Sequence, residues 1–267
     1  MLFDRKIELQ IGDTELEGLD ISFKIQKDTS TNPNPAEICI FNLNPKNRKY
    51  LSDNEKIPIL LKVGYNKTTA LLFKGDLQRC EHFLENLDWR TTLTCGDGLK
   101  AITEARTNKT FTKGSGVLDV IKSIASSLPG VDCGDAFLEL EKKQLPTINK
   151  GLSVSGPSID ELEKMLTAQG LFASIQDAAL QIQEKNKPTT RKIVLLNPQS
   201  GLLSVNQQGT KGTIKAKTLL MPELQAGCPV AIGIKDKYES YTIKKCTFSG
   251  SNYNNNWFTE IEAQKAS

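Results

Sequence analysis

The chain has 267 residues, 38% of them hydrophobic and 24% charged, which suffices for a real core in one or two domains of an ordinary globular protein. Its 34 basic and 31 acidic residues leave a net charge of +3, which gives no support to a partner held mainly through phosphates. The N-terminus is charged from its fourth residue, and no later apolar run approaches the roughly 18–20 residues of a membrane span, so neither a secretory signal nor a membrane partner is expected.

Residues 1–97 read as strands. "LDISFKIQK" (19–27) sets Leu19, Ile21, Phe23 and Ile25 on one face, and "AEICIFNL" (36–43) carries apolar residues on both. The polar "KDTSTNPNP" between them reads as a long exposed loop. Asn44-Pro45 has the form of a helix entry, with Asn as N-cap and Pro at the first helical position of a short helix. "IPILLKVGY", "TALLFKGDLQRCEHF" and "LDWRTTLTC" (87–95) then resume the strand pattern.

From about 98 to 185 the period changes. "GVLDVIKSIASSLPG" places Val117, Val120, Ile121, Ile124 and Leu128 on one helical stripe. In "SIDELEKMLTAQG", Ser158 and Glu161 have the spacing of a capping box, Gly170 has the place of a C-cap, and Ile159, Leu162, Met165 and Leu166 supply a buried face. "LFASIQDAALQI" reads as a hairpin turning near Asp177-Ala178. The polar "QEKNKPTTR" (183–191) is the expected boundary, and strands return after it through "GTIKAKTLL", "CPVAIGI", "ESYTIKKCTF" and "WFTEIEA". The fold class is therefore mainly β with a small α/β insert, divided as 1–97, 98–185 and 186–267.

The six cysteines are scattered without a CxxC pair, and His82 is the only histidine, which suits buried free thiols and disfavours a zinc site or a disulfide framework. A Ser-His-Asp enzyme would have to use His82 in the strand-like "RCEHF", and no GxSxG elbow accompanies it. "GSG" (114–116) lacks the lysine and spacing of a phosphate loop. Abundant Asp and Glu always yield carboxylate pairs, so a cell-wall-degrading hydrolase gains nothing from them. A single-strand nucleic-acid-binding β-barrel is the other alternative, but aromatics are only 6% and the lysine runs are interleaved with acids. No catalytic residue, cofactor or metal is expected.

One pattern recurs. Ile57-Pro58 precedes an alternating strand, a strand carrying Cys80, and then Trp89-x-Thr91-x-Leu93. Cys228-Pro229 precedes an alternating strand, a strand carrying Cys246, and then Trp257-x-Thr259-x-Ile261. The wide spacing suggests two copies of one β unit around an insert rather than a solenoid, although a chance echo stays open on the pattern alone. Pro58, Trp89, Thr91, Leu93, Pro229, Trp257, Thr259 and Ile261 are the candidate fold-defining positions; residues two apart in a strand share one face. Three chains would present six such units, near-sixfold on one side and threefold on the other.

The ordered segments "FDRKIELQIGDTELEGLDISFKIQK", "PAEICIFNLNP", "LDWRTTLTCGDG", "GLSVSGPSIDELEKMLTAQGLFASIQDAALQI" and "LLMPELQAGCPVAI" through "NNNWFTEIEA" resemble the baseplate hub proteins of bacteriophage tails. The resemblance runs over essentially the whole chain. It implies two tail-tube-like β-barrel domains related by duplication, in a homotrimer that joins the tail tube or distal tube proteins to the central spike protein. It also implies DNA passing through the lumen without specific binding, and a place in the virion tail after assembly in the host cytoplasm. No fused lysozyme-like or spike segment is evident in this sequence.

Overall fold

The computed structural model describes residues 4–66, 68–184, 187–189, 191–208, 212–234 and 237–265. The expected boundary between 185 and 186 lies outside them. Seven strands and one helix open the chain: β1 (Arg5–Ile11), β2 (Thr14–Leu16), β3 (Ile21–Asp28), β4 (Pro35–Phe41), α1 (Pro45–Asp53), β5 (Pro58–Tyr65), β6 (Thr68–Glu85) and β7 (Asp88–Gly96). α1 begins as its sequence requires: the Asn44 side chain accepts from the Asn47 N–H at 2.7 Å, and Pro45 takes the first turn. β3 buries Ile21, Phe23 and Ile25 and continues the alternation to Lys27, which is fully buried rather than part of an exposed loop. The Lys27 ammonium donates to Gln225 Oε1 at 3.2 Å.

The middle segment contains α2 (Leu99–Glu104), β8 (Arg106–Phe111), α3 (Val117–Ala125), α4 (Gly134–Glu141), β9 (Leu152–Pro157), α5 (Ser158–Thr167), β10 (Leu171–Gln176) and β11 (Ala179–Glu184). The stripe expected on α3 is buried in full. β10 and β11 form the expected hairpin, with Asp177 and Ala178 both at positive φ (55° and 61°), as a tight two-residue turn demands. The capping box is corrected: Pro157 occupies the N-cap, and Ser158 is buried inside the first turn, where its hydroxyl accepts from Ser127 at 2.8 Å. Glu161 instead meets Lys164 at 2.6 Å. The helix cap is Ala168, with Gly170 reversing the chain at φ 70° two residues later.

The last segment returns to strands: β12 (Val194–Leu196), β13 (Leu202–Gln208), β14 (Thr213–Leu219), β15 (Pro229–Ile234), β16 (Lys237–Ser251) and β17 (Trp257–Lys265). Two compact units result, one of Met1–Asp28, Asn34–Asp97 and Asn186–Ser267, the other of Thr29–Pro33 and Gly98–Lys185. The second holds the β8–β9 and β10–β11 pairs and the helices around its own core. In the first, the strands of both end segments join one 13-stranded sheet and one core. The two ends of the chain are thus fused into one body instead of standing as separate compact units.

That sheet is built twice over the same plan. The first half runs β3-β4-β7-β6-β5-β1 and the second β13-β14-β17-β16-β15-β12, with strands used in the same chain order. One pairing differs, β1 lying antiparallel on β5 and β12 parallel on β15. The halves meet where β16 pairs antiparallel with β3, Lys245 facing Asp28 at one end and Ser251 facing Ser22 at the other.

Candidate assembly interface

The eight recurrent residues fall at matching places in the two halves. Trp89, Thr91 and Leu93 on β7 face Leu84, His82 and Cys80 on β6. Trp257, Thr259 and Ile261 on β17 face Gly250, Phe248 and Cys246 on β16. Pro58 opens β5 opposite Asp76, and Pro229 opens β15 opposite Thr242. Even the irregularities correspond, one bulge lying between Leu77 and Arg79 and the other between Ile243 and Lys245.

Trp257 is sealed, with 1% of its surface exposed. Phe23 from β3 and Tyr65 from β5 each meet its ring edge-on at 6.0 Å, and the Arg5 guanidinium stands 5.4 Å from the ring centroid. Gly250 makes room for this packing: a Cβ there would lie 2.3 Å from Phe23 Cζ, so only glycine fits. Thr259 is buried and its hydroxyl accepts from the Met221 N–H at 3.0 Å, satisfying a backbone donor.

The matching place in the first half is open. Trp89 is 37% exposed, and its ring is met by the Arg48 guanidinium of α1 at 3.8 Å. Leu84, the counterpart of Gly250, is 59% exposed, and Phe83 beside it 48%. Thr91 and Leu93 are buried as in the other half. His82, the counterpart of Phe248, directs Nε2 toward the Arg48 carbonyl at 3.2 Å, which leaves Nδ1 to accept from the Thr91 hydroxyl at 2.9 Å. Partial burial holds the His82 pKa below its ordinary value, so the ring is neutral at pH 7.

Open strand edges lie beside these residues. The first stretch of β6 pairs with β5, but beyond Arg79 its described pairing is with β7 alone. β16, by contrast, pairs with β15 in its first stretch and with β3 in its second. At the far end of the sheet, β13 pairs with β14 alone among the described strands. Its sequence LLSVNQQ has neither charge nor proline, the usual guards of a strand edge. The strand pattern reaches Phe83 and the "LLSV" of β13 but does not mark them or Leu84 as open-edge residues; the absence of any guard residue across β13 is the signal available.

Burial pushes the Cys80 thiol up to about 11 and Cys95 up to about 12, so neither is a thiolate near neutrality. All six cysteines are free. Among the described residues, no group of three or more His, Cys, Asp or Glu could hold a metal ion, and no helix is long and apolar enough to cross a membrane.

Comparison with known proteins adds the family. The family described as baseplate hub gp41 matches residues 5–263. No curated protein matches by sequence. Among solved structures, a tail protein of Neisseria meningitidis has a similar fold at 10% identity, with a TM-score of 0.67 over 98% of this chain and 97% of that one. The 43 kDa tail protein of a Shewanella oneidensis prophage superposes with a TM-score of 0.68 at 7% identity, over 98% of this chain and 97% of its own. A third is an E. coli component of the type VI secretion system with structural similarity to the T4 bacteriophage tail proteins gp27 and gp5; it has 12% identity and a TM-score of 0.65, over 97% of this chain and 77% of that chain.

Proposed function

The chain belongs to the baseplate hub gp41 family, a structural component of the phage tail baseplate, and from that premise we propose that three copies close into a pseudo-sixfold ring. The ring continues a sixfold tail tube on one face and seats a threefold central spike on the other. Its working parts are strand edges and loops, and its task is symmetry matching and mechanical continuity, with DNA crossing the lumen without specific binding. The observation that carries this reading is the twice-built sheet: one strand plan, in one chain order, appears in each half of one unit. Three such chains contain six copies of the plan. Further support comes from the type VI secretion component with likeness to T4 gp27 and gp5, whose fold is similar. We infer that the two halves arose by duplication, with the eight recurrent residues as its trace.

Light scattering on the purified chain tests the ring. A particle of three 29.5 kDa chains is the expected result. A clean monomer at high concentration overturns it, because obligate rings bury upwards of about 2,000 Å² per interface and persist there. Electron microscopy of the particle should then show near-sixfold symmetry in end views.

A further inference from the structure

We propose that the second stretch of β6 in one copy pairs antiparallel with β13 of a second copy, Leu84 opposite Val205 of the partner subunit and His82 opposite Gln207 of the partner subunit. This deepens the ring reading above and rests on it. The template is the junction inside the chain, where β16 pairs with β3 and Phe248 and Gly250 face Ile25 and Phe23. Carrying that junction into the first half by matched registers turns Phe248 and Gly250 into His82 and Leu84. On the other side, β3 and β13 correspond through β4 and β14. Phe23 faces Ile38, which faces Leu93; Val205 faces Ala216, which faces Ile261, the counterpart of Leu93. By the same steps Ile25 corresponds to Gln207. Each chain therefore makes one junction of this kind internally and holds the two unlike halves of another, unmade, at β6 and β13.

Side-chain chemistry agrees with that register. Inside the chain a large Phe23 meets Gly250, which has no side chain; across the proposed junction a smaller Val205 meets Leu84, so bulk removed from one strand is returned on the other. The buried apolar pair Phe248 and Ile25 becomes the polar pair His82 and Gln207, and Gln207 is exposed in the single chain. The apolar surface waiting at β6 comprises Leu84 with Trp89 on one face and Phe83 on the other, and at β13 the exposed Leu203. The β13 edge, with no charge or proline, is of the kind that recruits a strand. Because β6 and β13 are different surfaces, the contact is head-to-tail, and such contacts give a ring wherever the rotation closes.

The test mixes two singly substituted full chains, Leu84→Cys and Val205→Cys, under copper–phenanthroline oxidation; the six native cysteines are free thiols too, so peptide mapping scores only the disulfide between residues 84 and 205, which can form only between two copies. Facing residues in an antiparallel pair stand about 4.5–5.5 Å apart at Cβ, within reach of a disulfide after small adjustment. A covalent dimer is expected from this mixture at least tenfold above that from Phe83→Cys with Val205→Cys, since a slip of one residue turns the side chains to opposite faces. Equal yields, or a higher yield from the slipped pair, overturn the register. Leu84→Lys supplies the second arm: the side chain is exposed in the single chain, so circular dichroism should still show a folded chain while the trimer is lost and Tm loses its dependence on protein concentration. A trimer by mass that survives Leu84→Lys and gives no Leu84–Val205 link sinks this junction and leaves the ring standing by another contact. A wild-type chain that never exceeds monomer mass sinks both.

Discussion

Trp257 and Trp89 hold the same station in two copies of one strand plan, yet the first is sealed and the second lies open to solvent. The strand pairs that carry them, β6–β7 and β16–β17, match in register and bulge. What differs is the neighbour: β3 seats itself on β16, bringing Phe23 over Trp257, while the matching stretch of β6 has no such strand. Backbone position therefore sets where an aromatic points, and the adjacent strand sets whether it counts as core. The contrast is sharpest in the energetics of removal. Trp257→Ala should destabilise the unit by about 3–5 kcal/mol in urea denaturation, the range for deleting a buried large aromatic. Trp89→Ala should lower single-chain stability by only about 1 kcal/mol and act chiefly on assembly. Equal losses would dissolve the distinction between a filled and an unfilled junction.

The next test exchanges the two stations. Gly250→Leu copies onto β16 the residue that β6 carries, and it forces a side chain into Phe23, so overpacking should cost about 1–3 kcal/mol. Adding Phe23→Val rebuilds inside the chain the Val205–Leu84 pair expected between copies, and part of the loss should return. A double variant worse than the sum of its singles would mean that the two junctions do not share one geometry.

Much of this is legible in the sequence, for particular reasons. Trp-x-Thr-x-Leu and Trp-x-Thr-x-Ile stand out because a pleated strand repeats every two residues, so matched side chains keep matched spacing wherever the strand is placed. Asn44-Pro45 was readable because capping is local. Lys27 was not: the alternation that buries Ile21, Phe23 and Ile25 runs on through it, but Gln225, which accepts its charge-bearing hydrogen bond, lies far along the chain. Ser158 misled because a capping box is also a spacing, and a proline before it took the cap while a neighbouring hydroxyl took the serine. The openness of Trp89 against the closure of Trp257 is a property of pairing between distant strands, and no window of sequence contains it.

A third comparison concerns the threonines. Thr259 accepts from a backbone N–H, that of Met221, so Thr259→Val strands a buried donor and should cost about 1–3 kcal/mol. Thr91 bonds the partly exposed side chain of His82 instead of a backbone group, so Thr91→Val should cost about 0.5 kcal/mol, the low end of the net worth of one ordinary hydrogen bond. Thermal melts of the two variants side by side read the difference, and an inverted order would show that the open station is the more tightly built.

The smallest effect separates Phe248, which cannot titrate, from His82, which does. Burial holds the folded His82 pKa below the ordinary 6.5, so on acidification the unfolded chain takes up its proton first. The stability tied to a neutral His82 is therefore complete above that ordinary value and is lost as pH falls from it through the folded value. Nearby Arg48 pushes in the same direction by charge, while its carbonyl, accepting from the ring, opposes it. His82→Phe, which copies Phe248, should flatten this slope in denaturation curves between neutrality and mild acid. In the assembled particle a strand laid over His82 would remove more water from the ring, so the slope should steepen in the trimer relative to Leu84→Lys. If the slopes match, water reaches His82 as freely in the particle as in the single chain, and no strand covers that edge.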